Sequence, residues 1–133
     1  MQVLALAIVV AAGLWLLGVA ALMSLRPQGC LRLLDRMSAN LRASDWRLHY
    51  TEQGLRVVVG VALIVRATGS KFPLAFGIAG WLLVATSALI MIAPVRWHGH
   101  YGGWWAKQLN PMMIRALSPV PVLLGAGVIY AAL

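Results

Sequence analysis

The sequence predicts an all-α integral membrane bundle of four transmembrane helices, joined by short amphipathic interfacial helices in the cytoplasmic connections. Three observations predict this. Apolar residues fill 62 % of the 133 positions and charged residues only 11 %, where a soluble domain carries roughly 45–50 % and about 25 %. Long charge-free runs recur along the chain, and the 11 Lys and Arg residues fall almost entirely between or at the edges of those runs. The length suits one domain, 1–133, without a separate soluble module.

Val3 to Leu25 is the first span (3–25). It contains no charge, and as a helix it reaches roughly 34 Å, enough for a hydrocarbon core of about 30 Å. Arg26 and Pro27 end it, because the guanidinium prefers headgroups and proline cannot continue the helix. Gly18 and Ala20 offer a small-x-small signal-cleavage pattern, but Met1-Gln2-Val3 lacks a basic n-region and the apolar run is long for a signal peptide. Phe72 to Val95 is an equally clear span (72–95), with Pro73 in the favoured first turn and Pro94 near its end.

The last span (116–133) is marginal. Ser118 is placed to cap it ahead of Pro119, and counted from Pro119 it reaches only roughly 22 Å, so it needs a thinner bilayer or help from the preceding turn. The remaining span (50–68) is the weakest, because Arg56 and Arg66 bracket the short run Val57 to Val65. Glu52 stands one turn before Arg56 in the favourable order and forms the expected charge pair. One helix from about Asp45 to Thr68 is predicted, stopped by Gly69; a re-entrant or surface helix is the competing reading.

With both termini outside, nine basic residues lie inside and two, Arg66 and Lys71, outside. The positive-inside rule then places both termini in the periplasm of a bacterial inner membrane and both long connections in the cytoplasm. The single Cys30 then falls on the reducing side, consistent with an unpaired thiol.

In the first connection, Leu31, Leu34, Met37 and Leu41 recur at helical spacing, with Arg32 and Arg36 elsewhere on the helix. This amphipathic segment suits the leaflet surface, and membrane lipids, anionic ones included, are its expected partners. In the second connection, Trp97, Tyr101, Trp104, Trp105 and Lys107 form an expected interfacial belt. Gly99, Gly102 and Gly103 predict a mobile, non-helical backbone there. Asn110-Pro111 then starts a short helix carrying Met112, Met113, Ile114 and Leu117.

His98 and His100 share a face if the backbone is extended, and with His49 they are the candidate metal ligands. Their spacing matches no recognised metal motif. No catalytic set, cofactor motif or nucleic-acid partner is implied. Spans one, three and four hold no ionisable group, which counts against proton-coupled transport. Small four-span drug exporters match in length but rely on a glutamate in their first helix, and Val3 to Leu25 has no acid. Arg56 and Arg66 have two readings, an anion pathway or side chains that snorkel to the interface. Small residues at Ala7, Ala11 and Gly18, at Ala75, Ala79 and Gly80, and at Gly125 and Gly127 predict close helix contacts within the chain or with another subunit.

The first helix ending Leu25-Arg26-Pro27, the Glu52-x-x-x-Arg56-x-x-x-Gly60 pattern, the Gly80-Trp81-Leu82-Leu83 span ending at Pro94 and the proline-led last helix resemble small four-span bacterial inner-membrane proteins. The resemblance implies a span count and no activity. The expected function is a non-enzymatic accessory or scaffold subunit, self-associating or part of a larger complex. A small homo-oligomeric channel or transporter is the alternative, and a redox or metal-binding protein using His49, His98 and His100 a further one.

Overall fold

A computed structural model describes residues 1–133. The chain is all-helical, with α1 (Gln2–Leu25), α2 (Pro27–Arg42), α3 (Trp46–Arg66), a 3-10 turn (Ala67–Gly69), α4 (Pro73–Ile92), α5 (Val95–Gln108), α6 (Pro111–Leu117) and α7 (Pro119–Ala132). Proline occupies the first turn of α2, α4, α6 and α7, where its missing N–H is harmless and its fixed φ suits a helix. Asp45 caps α3 by accepting from the Leu48 N–H at 3.2 Å, and Asn110 caps α6 by accepting from the Met113 N–H at 2.9 Å.

Ser118 behaves differently from its expected role. It keeps helical dihedrals, and its hydroxyl donates to the Arg115 carbonyl at 2.8 Å. Pro111–Ala132 therefore runs on as a single apolar leg, which supplies the length that α7 lacks alone. Three legs are long and apolar enough to cross a membrane: α1, α4 and this last one. The fourth, α3, runs between the same two ends of the molecule but carries Arg47, Glu52 and Arg56 in its first half.

The legs pack as antiparallel pairs through glycine. A Cβ built on Gly60 would stand 2.9 Å from the Gly80 carbonyl oxygen, and one on Gly80 would stand 2.6 Å from the Gly60 oxygen. The same reciprocal approach joins α1 to α7: the distances are 3.0 Å from a Gly13 Cβ to the Gly125 oxygen and 2.7 Å in reverse. Backbones this close tolerate only hydrogen at the crossing. The expected row of small residues is thus corrected. Gly13, not Gly18, faces α7, and substituents at Gly18 and Gly127 would meet nothing.

A third glycine contact joins α5 to α2 and overturns the expectation of a mobile loop. α5 is a continuous helix, and a Cβ at Gly99 would stand 2.5 Å from the Arg42 nitrogen. Gly102 faces Ser38, and Gly103 lies under the Arg42 guanidinium. Glycine lowers intrinsic helicity by up to about 1 kcal/mol per residue, but here three of them form one bare face on which α2 sits. The buried side of α2 is correspondingly Cys30, Ser38 and Leu41; Leu34, expected in the apolar stripe, is exposed.

At the far end from α2 and α5, Ala5, Val9, Ala62, Leu63, Phe76, Ala131 and Ala132 form the apolar core. The Arg66 guanidinium closes that end. It donates to the Ala132 carbonyl at 3.1 and 2.7 Å and to the Gln2 side-chain oxygen at 3.4 Å, while Gln2 donates to the Val65 carbonyl at 2.9 Å. Lys71 Nζ donates to the Tyr130 carbonyl at 3.0 Å and stands over the Tyr130 ring. Two cations thus meet the carbonyls of the last turn of α7, where the helix dipole favours positive charge.

Gly80→Ala is expected to lower the unfolding free energy in detergent by about 1–3 kcal/mol through overpacking. Gly77→Ala, in the same helix with nothing near its Cβ, is expected to raise it by about 0.5–1 kcal/mol through helix propensity. Denaturant titration followed by helical circular dichroism measures both, and equal effects would remove the crossing-point explanation.

Candidate functional site

The polar residues enclosed by the bundle collect toward the end formed by α2, α5 and the start of α3. His49 and Gln53 lie one turn apart on α3 and Ser87 lies on α4, all three at 0 % exposure. The α3 and α4 registers explain the grouping. Gln53 precedes Gly60 by seven residues and Ser87 follows Gly80 by seven, so two turns from the crossing the antiparallel legs bring them level. His98, half-buried on α5, reaches the same region: its Nδ1 is 3.4 Å from Nδ1 of His49, with the rings edge-on at 5.5 Å.

Four atoms in this group have no hydrogen-bond partner in the chain: His49 Nε2, Gln53 Nε2 and Oε1, and Ser87 Oγ. Each such atom costs about 1–3 kcal/mol when sealed from every partner. The arrangement encloses donors and acceptors at one level of the bundle, with an imidazole pair whose Nδ1 atoms face each other, either one able to donate according to its tautomer.

The turn that delivers His49 is built unusually. Ser44 takes a positive φ of 67°, the left-handed conformation usually given to glycine after a helix. Its N–H donates to the Leu41 carbonyl at 3.0 Å, and the Asp45 N–H donates to the Asn40 carbonyl at 3.1 Å, the pair of bonds of a Schellman motif. The Ser44 hydroxyl accepts from Arg96 Nε at 2.8 Å, which ties this turn to the start of α5 and fixes His98 opposite His49.

Of the expected metal ligands, His49 and His98 meet and His100 does not. On a helix His100 lies about 200° around from His98, and it is exposed. The shared face expected for an extended backbone is therefore absent. Two imidazoles supply two of the four ligands of a tetrahedral zinc site, and no group of three or more His, Cys, Asp or Glu side chains gathers anywhere in the chain. Cys30 is buried in α2, and that burial pushes its thiol pKa up, which disfavours the thiolate that binds metal.

Helical α5 also organises the aromatic belt. Trp97, Tyr101, Trp104 and Trp105 fall on one face, opposite Gly99, Gly102 and Gly103, and all four are exposed. Trp105 meets Tyr101 and Trp104 edge-on at 6.3 and 5.0 Å. Lys107, Arg32 and Arg36 are exposed at the same end, while Glu52 and Arg56 sit half-buried one turn apart on α3. Arg66, a candidate for an anion path or for snorkelling, is engaged with the Ala132 carbonyl.

Sequence reasoning missed Gln53 and Ser87. The available signal was their equal offset from Gly60 and Gly80, legible once those glycines are known to cross.

No protein-family model, no curated protein and no solved structure matches the chain. The class defined by fold and composition is an all-helical chain with three helices able to cross a membrane.

The double variant Gln53→Leu with Ser87→Ala removes three of the four unpartnered atoms, leaving His49 Nε2, and keeps similar volume. Its unfolding midpoint in detergent is expected to stay level or rise, whereas a loss of about 1–3 kcal/mol would mean that these groups are satisfied in the folded protein.

Proposed function

We propose that the protein is a non-enzymatic integral membrane subunit, an accessory or scaffold component that associates with itself or with a larger membrane complex. The observation that carries this reading is how little of each apolar leg the chain itself covers. Only 22 %, 17 % and 17 % of the α1, α4 and Pro111–Ala132 span windows is buried. α4 presents an open apolar cleft of about 590 Å³ on its outer face, between Pro73, Leu74, Gly77, Ile78, Trp81 and Leu82. A helix notch at glycine beside an exposed tryptophan is the shape that small-residue helix contacts use in lipid.

In this reading α3 is a fourth span, with Arg56 level with Val84 in the middle of α4 by the Gly60–Gly80 register and Glu52 one turn nearer the α5 end, and the protein belongs to a bacterial inner membrane. The nine-to-two division of basic residues among the connections along the sequence supports periplasmic termini. A reporter fused after Leu133 should be active only as a periplasmic enzyme. Activity of a cytoplasmic reporter at that position would overturn the orientation or the span count.

A small homo-oligomeric channel or transporter is the second reading, favoured by the enclosed His49, Gln53 and Ser87 side chains. A redox or metal role for His49, His98 and His100 has no third ligand to support it. Mass measurement of the protein extracted in native lipid separates the first two. The subunit reading expects assemblies that weaken severalfold in Gly77→Leu and Trp81→Ala while helicity is kept. A homo-oligomer of fixed number, unaffected by those changes and conducting ions in vesicles, would replace it with the channel reading.

A further inference from the structure

Where α1 ends, an open cleft of about 880 Å³ lies between the last turn of α1, the first turns of α2 and the start of α6. Three arginines line it, Arg26, Arg32 and Arg115, and no acidic residue does. The nearest acid on α2 is Asp35, exposed and one turn beyond Arg32. Arg115 is held in place: its Nε donates to the Ser24 carbonyl at 3.1 Å, which crosses from α6 to α1 and leaves its other N–H groups available to the cleft. Gln28 is the one other polar side chain on the wall, and Leu22, Leu25 and Met112 give it an apolar side toward the span.

We propose that this cleft binds an anionic glycerophospholipid, its phosphate among Arg26, Arg32 and Arg115 and its acyl chains against Leu22, Leu25 and Met112. The depth is right, since the cleft begins where the charge-free run of α1 stops at Leu25-Arg26. The charge is right as well. Three cations without a lining acid match a headgroup of net negative charge, whereas a zwitterionic headgroup would bring its own ammonium against them. Arginine suits the contact because its planar fork pairs with two phosphate oxygens at once. The apolar wall distinguishes a lipid from free phosphate, which has nothing to place there. This site does not depend on an assembly partner, so it stands or falls apart from the subunit reading.

The test is native mass spectrometry of the whole protein in mild detergent, titrated with phosphatidylglycerol or phosphatidylcholine. One phosphatidylglycerol is expected to bind in preference to phosphatidylcholine. Arg32→Gln and Arg115→Gln are each expected to weaken it about fivefold, the effect of one basic residue at an anionic surface. Arg47→Gln, equally basic but outside the cleft, serves as control and should leave binding unchanged; circular dichroism confirms helicity throughout. Equal loss in Arg47→Gln would reduce the effect to general charge and overturn the site. Displacement of the bound lipid by millimolar inorganic phosphate would overturn the lipid in favour of free phosphate, and equal binding of phosphatidylcholine would remove the role of the three arginines.

Discussion

Backbone-to-backbone approach at glycine is the constraint on which the rest of the structure depends. Lipid tails are as apolar as leucine, so burial of apolar side chains gives membrane helices little reason to associate with one another, and close van der Waals packing takes over. In this chain Gly13 meets Gly125, Gly60 meets Gly80, and Gly99 meets the Leu41–Arg42 backbone. Each crossing joins one pair of helices. Two of the crossings set the vertical register of long legs, and that register decides which side chains lie level with one another.

The two ends of the bundle follow from that register and differ chemically. At one, Arg66 and Lys71 meet the carbonyls at the end of α7, and Gln2 links α1 to α3. Polar groups there are matched, and the apolar core lies beneath them. At the other end, α2 and α5 form a second layer set on the legs, with charged and aromatic side chains turned outward and His49, Gln53 and Ser87 enclosed. One end is thus closed by satisfied hydrogen bonds, while the other carries enclosed polar atoms and a basic cleft.

The glycines of α5 show how one composition serves two outcomes. Isolated, Val95 to Gln108 would be a poor helix, with three glycines among fourteen residues. Packed on α2, those glycines allow contact that larger side chains would prevent, and the contact holds the helix that propensity alone would lose. The same helix then sorts Trp97, Tyr101, Trp104 and Trp105 onto its outer face, at the end where Lys107 and Arg115 also lie.

Much of the architecture was determined by residues acting locally. Charge-free runs, prolines in first turns, the Asp45 and Asn110 caps and the break at Leu25-Arg26-Pro27 act within a few positions of themselves, so α1, α3, α4 and α6 begin or end close to where the sequence places them. The clustering of basic residues at one end is legible for the same reason, since each follows from a helix count and a direction. Tertiary structure alone decided which glycine of each helix is the crossing point. Gly13 and Gly18 on α1, or Gly125 and Gly127 on α7, differ only in what stands opposite them. It alone decided that α5 is helical, that His100 parts from His98, that Arg66 ends on the Ala132 carbonyl, and that Gln53 and Ser87 come level. Each of these depends on a partner far away in sequence, whose position is set by packing that no local pattern encodes.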